Sequence, residues 1–174
     1  MVMCFDSTSY GPEVASILAL DRGSCEQGRH ILKTKTAQGL FPSSTSPEAA
    51  MAGLWLYFSC FDEAHRVAQD LETPEGSFWH GILHRQEPDA ANAAYWFRRV
   101  GQHPVFPALR DAAAKILSAH SVPFRIENTW NPMAFIDFCE AARLQPGGEA
   151  EKVAMEIQNA EWQILFDYCA RKKQ

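Results

Sequence analysis

Ten prolines, at positions 12, 42, 47, 74, 88, 104, 107, 123, 132 and 146, divide this chain into segments of helical length. Proline lacks a backbone N–H and clashes with the preceding turn, so it breaks a helix interior but suits a first turn. None of the ten interrupts a periodic apolar pattern. The chain is thereby confined to helices that begin at or after prolines and stop before the next one. We expect an all-α fold of about eight or nine helices.

The segments carry their own start and stop signals. Pro12–Leu20 reads as a short helix, and Ser24 with Gln27 has the form of a capping box before a weaker one. Phe41 to Ser46 reads as a loop, with Ser46 as the side-chain cap of a helix through Trp55. The next helix starts near Asp62 and places Ala64, Val67, Ala68 and Leu71 on one face. Thr73 to Gly76 reads as a break, followed by a helix over Phe78–Gln86. Asp89 caps the next helix, whose stripe of Ala93, Trp96, Phe97 and Val100 ends at Gly101. Pro107–Ala119 is helical, and Val122–Trp130 is irregular. Asn131 and Pro132 open a helix with Phe135, Phe138, Cys139 and Ala142 on one face. The last helix, Glu149–Arg171, has acids at its start and Arg171, Lys172 and Lys173 at its end, which suits the helix dipole. It shows two apolar stripes, Val153/Ile157/Ala160/Ile164/Tyr168 and Met155/Trp162/Phe166, and so belongs in a core or against a partner.

Composition narrows the class. Hydrophobic residues make up 47% and charged residues 21% of 174, which is globular and sized for one domain over residues 1–174. The net charge of −5 argues against a nucleic-acid binder. Residues 1–10 lack the basic and apolar regions of a secretory leader, and no apolar run is long enough for a bilayer, so a cytoplasmic location and no membrane contact are expected. The five cysteines, Cys4, Cys25, Cys60, Cys139 and Cys169, are odd in number and widely spaced with no C-x-x-C. Free thiols are expected, with Cys139 a small core residue.

Two neighbouring helix pairs repeat at an interval of 29 residues. Ala52 corresponds to Gly81, Leu54 to Leu83, Ala64 to Ala93, Ala68 to Phe97 and Leu71 to Val100. Small residues at these positions let paired helices approach closely. Residues 48–103, and above all Asp89, Ala93, Trp96 and Phe97, resemble helical hairpins of the tetratricopeptide and Sel1 type. The strings Trp79–Arg85, Asn92–Phe106 and Glu161–Tyr168 are also similar to a small group of uncharacterised all-helical proteins. The first resemblance implies two hairpins near the centre, and the second a single compact domain. Residues 131–172 form a C-terminal helical pair.

Two constellations carry possible chemistry. His80, His84 and Glu87 lie at i, i+4 and i+7 on one helix face, and His65 lies on the preceding helix beside Asp62 and Gln69. One turn separates imidazoles at i and i+4, the spacing that chelates a single ion, so His65, His80 and His84 are a candidate three-ligand set for a divalent transition metal. Gly81 stands where a zincin would hold its glutamate. The second constellation is Arg85, Asn92, Tyr95, Trp96, Arg99 and His103, whose guanidinium forks, amide and aromatic wall suit a small anion. Its structural alternative is that these arginines pair with Glu75, Glu87 and Asp89 while the aromatics fill the core. Ser77 beside His80 forms at most an incomplete nucleophile pair. The Asp62–His65 tetrapeptide has no phosphate-binding loop to act with. Two readings follow: a helical module that binds a protein or peptide without catalysis, or a metal- or anion-binding protein, with or without enzymatic activity, using the cluster between Asp62 and His103. They differ in whether the histidines converge.

Overall fold

Side-chain oxygens and prolines set the helix starts. In a computed structural model, which describes residues 6–20 and 24–171, a short 3-10 turn at Ser7–Tyr10 precedes ten helices. They are α1 (Pro12–Leu18), α2 (Cys25–Leu32), α3 (Ala37–Leu40), α4 (Pro47–Tyr57), α5 (Phe61–Gln69), α6 (Pro74–Gln86), α7 (Ala90–Val100), α8 (Phe106–Leu117), α9 (Pro132–Arg143) and α10 (Glu149–Ala170). The described residues contain no β-strand. Cys4, Lys172 and Lys173 lie outside them.

Asp6, Ser24, Thr36, Thr73, Asp89 and Asn131 each accept a hydrogen bond from a backbone N–H two or three residues on. Such bonds satisfy N–H groups that have no partner within the helix. Prolines occupy the first turns of α1, α4, α6, α8 and α9. Two expectations need correction here. Thr73 to Gly76 is a helix start rather than a break, because Thr73 Oγ1 caps Gly76 N and Pro74 fits the first turn. Ser46 makes no side-chain cap; its own N–H bonds to Ser44 Oγ. The count also exceeds the expectation, since the one-turn helix α3 carries too few residues to show a period.

Helices α4, α5, α6 and α7 pack in succession, each on the next, and α10 lies across α4, α8 and α9. The result is one all-α domain with adjacent helix pairs. Nine of the ten residues in the 29-residue correspondence are buried, Leu71 being half-buried. On α10, the Ile157–Ile164 side and Trp162 with Phe166 are buried, whereas Met155 is 63% exposed and lies outside the core. The irregular segment Val122–Trp130 straps α9: Phe124 stacks on Phe138 at 4.6 Å and Trp130 rests on Phe135 at 5.2 Å. No helix among the described residues is long and apolar enough to cross a membrane.

Gly81 shows why the hairpin α6–α7 closes so tightly. A Cβ there would lie 2.8 Å from two carbons of the Phe97 ring. Phe97 cannot swing away, because it is 2% exposed and packed on Phe78. Gly81→Leu is therefore expected to destabilise by about 1–3 kcal/mol through overpacking. A melting temperature equal to wild type would rule out this contact.

The expectation of free thiols is corrected for two cysteines. Cys25, at the first position of α2, and Cys60, the N-cap of α5, form a disulfide with Cα atoms 4.7 Å apart. That separation falls within the range a disulfide requires. The two lie 35 residues apart in sequence, so spacing alone carried no sign of the pairing. Cys139 and Cys169 are free and buried.

Candidate metal centre

The hairpin geometry brings His65 of α5 over the face of α6 that carries His80 and His84. One turn of α6 stacks the His80 and His84 rings, with centroids 4.9 Å apart and planes 9° from parallel. His65 stands edge-on to both, at 4.8 Å from each. One nitrogen from each of the three rings lies within 4.8 Å of the others. The closest pair is His65 Nδ1 and His80 Nε2, 3.1 Å apart.

Acidic residues at the end of α6 fix the ring orientations. Glu87 Oε2 lies 3.0 Å from His65 Nε2. A carboxylate only accepts, so Nε2 of His65 carries the hydrogen, and a neutral ring then presents a lone pair at Nδ1. That lone pair points at His80. His84 Nδ1 lies 3.7 Å from both Glu87 Oε2 and Asp89 Oδ2. Trp96 of α7 closes the other side, stacked on His80 at 3.9 Å and 15°. The Arg99 guanidinium lies over Trp96 at 5.4 Å.

The electrostatics favour neutral imidazoles. His80 is 4% exposed, and burial, with the neighbouring charges of His65 and His84, pushes its pKa down to about 4. Burial and His65 also lower His84, against an opposing pull from Glu87 and Asp89. A neutral imidazole is the form that binds metal. The same shift has a consequence for stability. An unfolded histidine titrates near 6.5, so from there down to about pH 4 the unfolded chain takes up a proton that folded His80 refuses. Stability contributed at neutral pH is lost as pH falls through that window and levels off below it. Allowing for solvent screening, the loss at this residue is on the order of 2 kcal/mol. Urea midpoints at pH 7 and pH 4, compared between wild type and His80→Gln, measure it: wild type is expected to fall further than the variant.

The six residues of the expected anion site are not brought to one point by their contacts. Arg85 is fully buried and ion-paired with Glu161 of α10, with Gln158 Oε1 at 3.2 Å from its Nη2. Asn92 donates to Asp89 Oδ2 at 2.6 Å. Arg99 lies over the rings of Tyr95 and Trp96 on α7, and Trp96 belongs with the histidines. His103 is buried against Phe78 and Tyr168, accepts from Val105 N at 3.3 Å, and lies 3.8 Å from Glu75. Its ring holds the Glu75 carboxyl below the usual range. Histidines rather than arginines thus take the three acids: Glu75 faces His103, Glu87 faces His65 and His84, and Asp89 faces His84. His80 Nδ1 has no hydrogen-bond partner, so Ser77 forms no couple with it.

Sequence reasoning missed Glu161. The available signal was a single charge in an otherwise uncharged run from Ile157 to Phe166. Such a charge is buried only if paired. A second group, Cys25, Cys60 and Glu63, also places ligand atoms within 4.8 Å of one another, but its sulfurs are joined to each other and Glu63 is held by Arg29. No protein-family model matches the chain, and no curated protein or solved structure matches it, so the metal-ligand geometry stands on the chain's own residues.

Proposed function

We propose that this protein binds one divalent transition metal ion through His65, His80 and His84, with Glu87 orienting His65 and Trp96 shielding His80. One observation carries the reading: His65 Nδ1 and His80 Nε2 face each other at 3.1 Å, with a His84 nitrogen within 4.8 Å. Ligand nitrogens about 2.05 Å from a tetrahedral ion lie about 3.3 Å from each other. The first edge of the ligand set therefore needs only a few tenths of an ångström of adjustment. Glu87 on the far nitrogen of His65 is the outer partner that metal-bound imidazoles ordinarily have. A bound ion would displace the hydrogen now shared by His65 and His80, both rings turning their lone pairs toward it, and His80 would then carry its own hydrogen on Nδ1. Imidazole ligands favour zinc, copper, nickel or iron over magnesium and calcium. The same convergence speaks for this reading over a purely peptide-binding helical module, which has no use for three imidazoles in contact.

Calorimetric titration of zinc and of nickel into chelator-stripped protein at pH 7.5 is the test. We expect a stoichiometry near one, and d–d bands of a nitrogen-rich site when cobalt is used instead. The absence of saturable binding by all three ions would overturn the proposal.

A further inference from the structure

The Cys25–Cys60 pair is unequal in a way that points to exchange chemistry. Cys60 is fully buried, whereas Cys25 is half-buried. Cys60 is the N-cap of α5, where the helix dipole favours a thiolate, while its burial and the Cys25 carbonyl oxygen 3.2 Å from its sulfur oppose one. Glu63, one turn on, would oppose that charge, but it is paired with Arg29 through both of its oxygens. Glu63 Oε2 also lies 3.9 Å from Cys25 Sγ, so the Glu63–Arg29 pair borders the sulfur of the half-buried cysteine. The bond pins α2 to the junction of α4 and α5, where the chain is already close to α2. A Cβ on Gly28 would sit 2.5 Å from Phe58 Cβ and 3.1 Å from Cys60 Sγ.

We infer that Cys25–Cys60 is a reversible thiol–disulfide exchange site in which Cys25 is the attacked and attacking sulfur and Cys60 is the leaving and resolving one. The partner class is a low-molecular-weight thiol and its disulfide. In reduction, an incoming thiolate forms a bond to Cys25 Sγ, the Cys25–Cys60 bond breaks, and its electron pair leaves on Cys60. A second thiol then attacks the mixed disulfide at its outer sulfur and releases Cys25. The sum is protein disulfide plus two thiols giving protein dithiol plus one small disulfide, with two electrons and two protons transferred. Oxidation by the small disulfide runs the same steps backwards. Attack at Cys25 is favoured because it is the less buried of the two, so an incoming thiol reaches its sulfur first. This inference does not rest on the metal reading, since no histidine takes part.

The full-length protein, equilibrated in glutathione buffers of graded composition, quenched by alkylation and mapped by peptide mass, tests it. The mapping keeps Cys4 separate from the pair. We expect the pair to pass reversibly between disulfide and dithiol across the series. With glutathione disulfide, Cys60→Ser should accumulate a glutathionyl adduct at Cys25, while Cys25→Ser should form one at Cys60 at least about ten times more slowly. Rapid acid quenching of wild type during reduction reads the same asymmetry without a variant, and the mixed disulfide should sit on Cys25. A mixed disulfide on Cys60, equal rates in the two variants, or a pair unchanged across the whole buffer series would overturn the inference.

Discussion

His80→Ala/His84→Ala should leave no saturable binding of zinc or nickel under conditions where wild type takes up one ion. The two residues supply two of three imidazoles, and the remaining His65 is a single, 22% exposed ligand of the kind found on any surface. Removing the outer partner is the finer probe. Glu87→Gln keeps a group that can still accept from His65 Nε2 but lacks the carboxylate charge, and should weaken affinity by about 10-fold to 100-fold. His30→Ala and His120→Ala should bind as wild type does, because neither belongs to the cluster. Stability gives a second readout. A ligand at 100 times its dissociation constant stabilises the folded state by about 2.7 kcal/mol, or roughly 5–10 °C in a domain of this size. That rise should vanish in the double variant. Trp96 supplies a third, since its ring stacks on His80 at 3.9 Å and a paramagnetic ion bound there should quench its emission. Truncating His80 opens space in a buried site, so His65→Ala, at a half-buried position, is the check against simple unfolding. Equal isotherms for wild type, the double variant and His65→Ala would show that the imidazoles serve packing.

The parts of this site that could be read beforehand are those that follow from local rules. The i, i+4 spacing puts His80 and His84 on one face of any helix, whereas His65 joins them only where α5 and α6 are neighbours, a condition that the packing of α5 on α6 meets. The unread parts depend on distances that no local pattern encodes. Glu161 reaches Arg85 from 76 residues away, and Cys60 meets Cys25 across 35. In sequence Trp96 groups with Arg99 because both lie on α7, yet the close approach of α7 to α6 at Gly81 and Phe97 lets its ring cover His80. The fold was more open to reading for the same reason. Asp89 and Asn131 act through backbone groups two or three residues away, and Gly101 ends α7 with φ +64, a conformation glycine adopts without strain. Thr73 reads as a break in sequence because a threonine–proline pair fits both a turn and a helix start, and only the N–H of Gly76 on its oxygen distinguishes them.

Breaking the ion pair between α6 and α10 should remove a large part of the molecule's stability. Arg85 and Glu161 are 0% and 1% exposed. Burial is the largest influence on both: it pulls Arg85 down, where the Glu161 charge, Cys139 and the hydrogen bond to Glu161 together outweigh it, and pushes the Glu161 carboxyl up, where Arg85 opposes it. Each charge is tolerable only because the other is present. Arg85 also lies over Phe135 at 4.6 Å, and its carbonyl accepts from Arg143, so α6, α9 and α10 meet at this residue. Arg85→Met retains most of the packing volume but leaves Glu161 uncompensated, and Glu161→Leu does the reverse. Each should cost about 3–5 kcal/mol, roughly 10 °C or more in melting temperature. The double variant should recover most of that loss, because a buried pair replaced by apolar side chains of similar volume is close to neutral. Denaturant midpoints for the four proteins close the cycle and give the coupling directly. Additive losses would mean that the pair contributes through volume alone. A double loss much smaller than the sum of the single ones would show that each charge is tolerated only with the other, and that the pair ties α6, which carries His80 and His84, to α10.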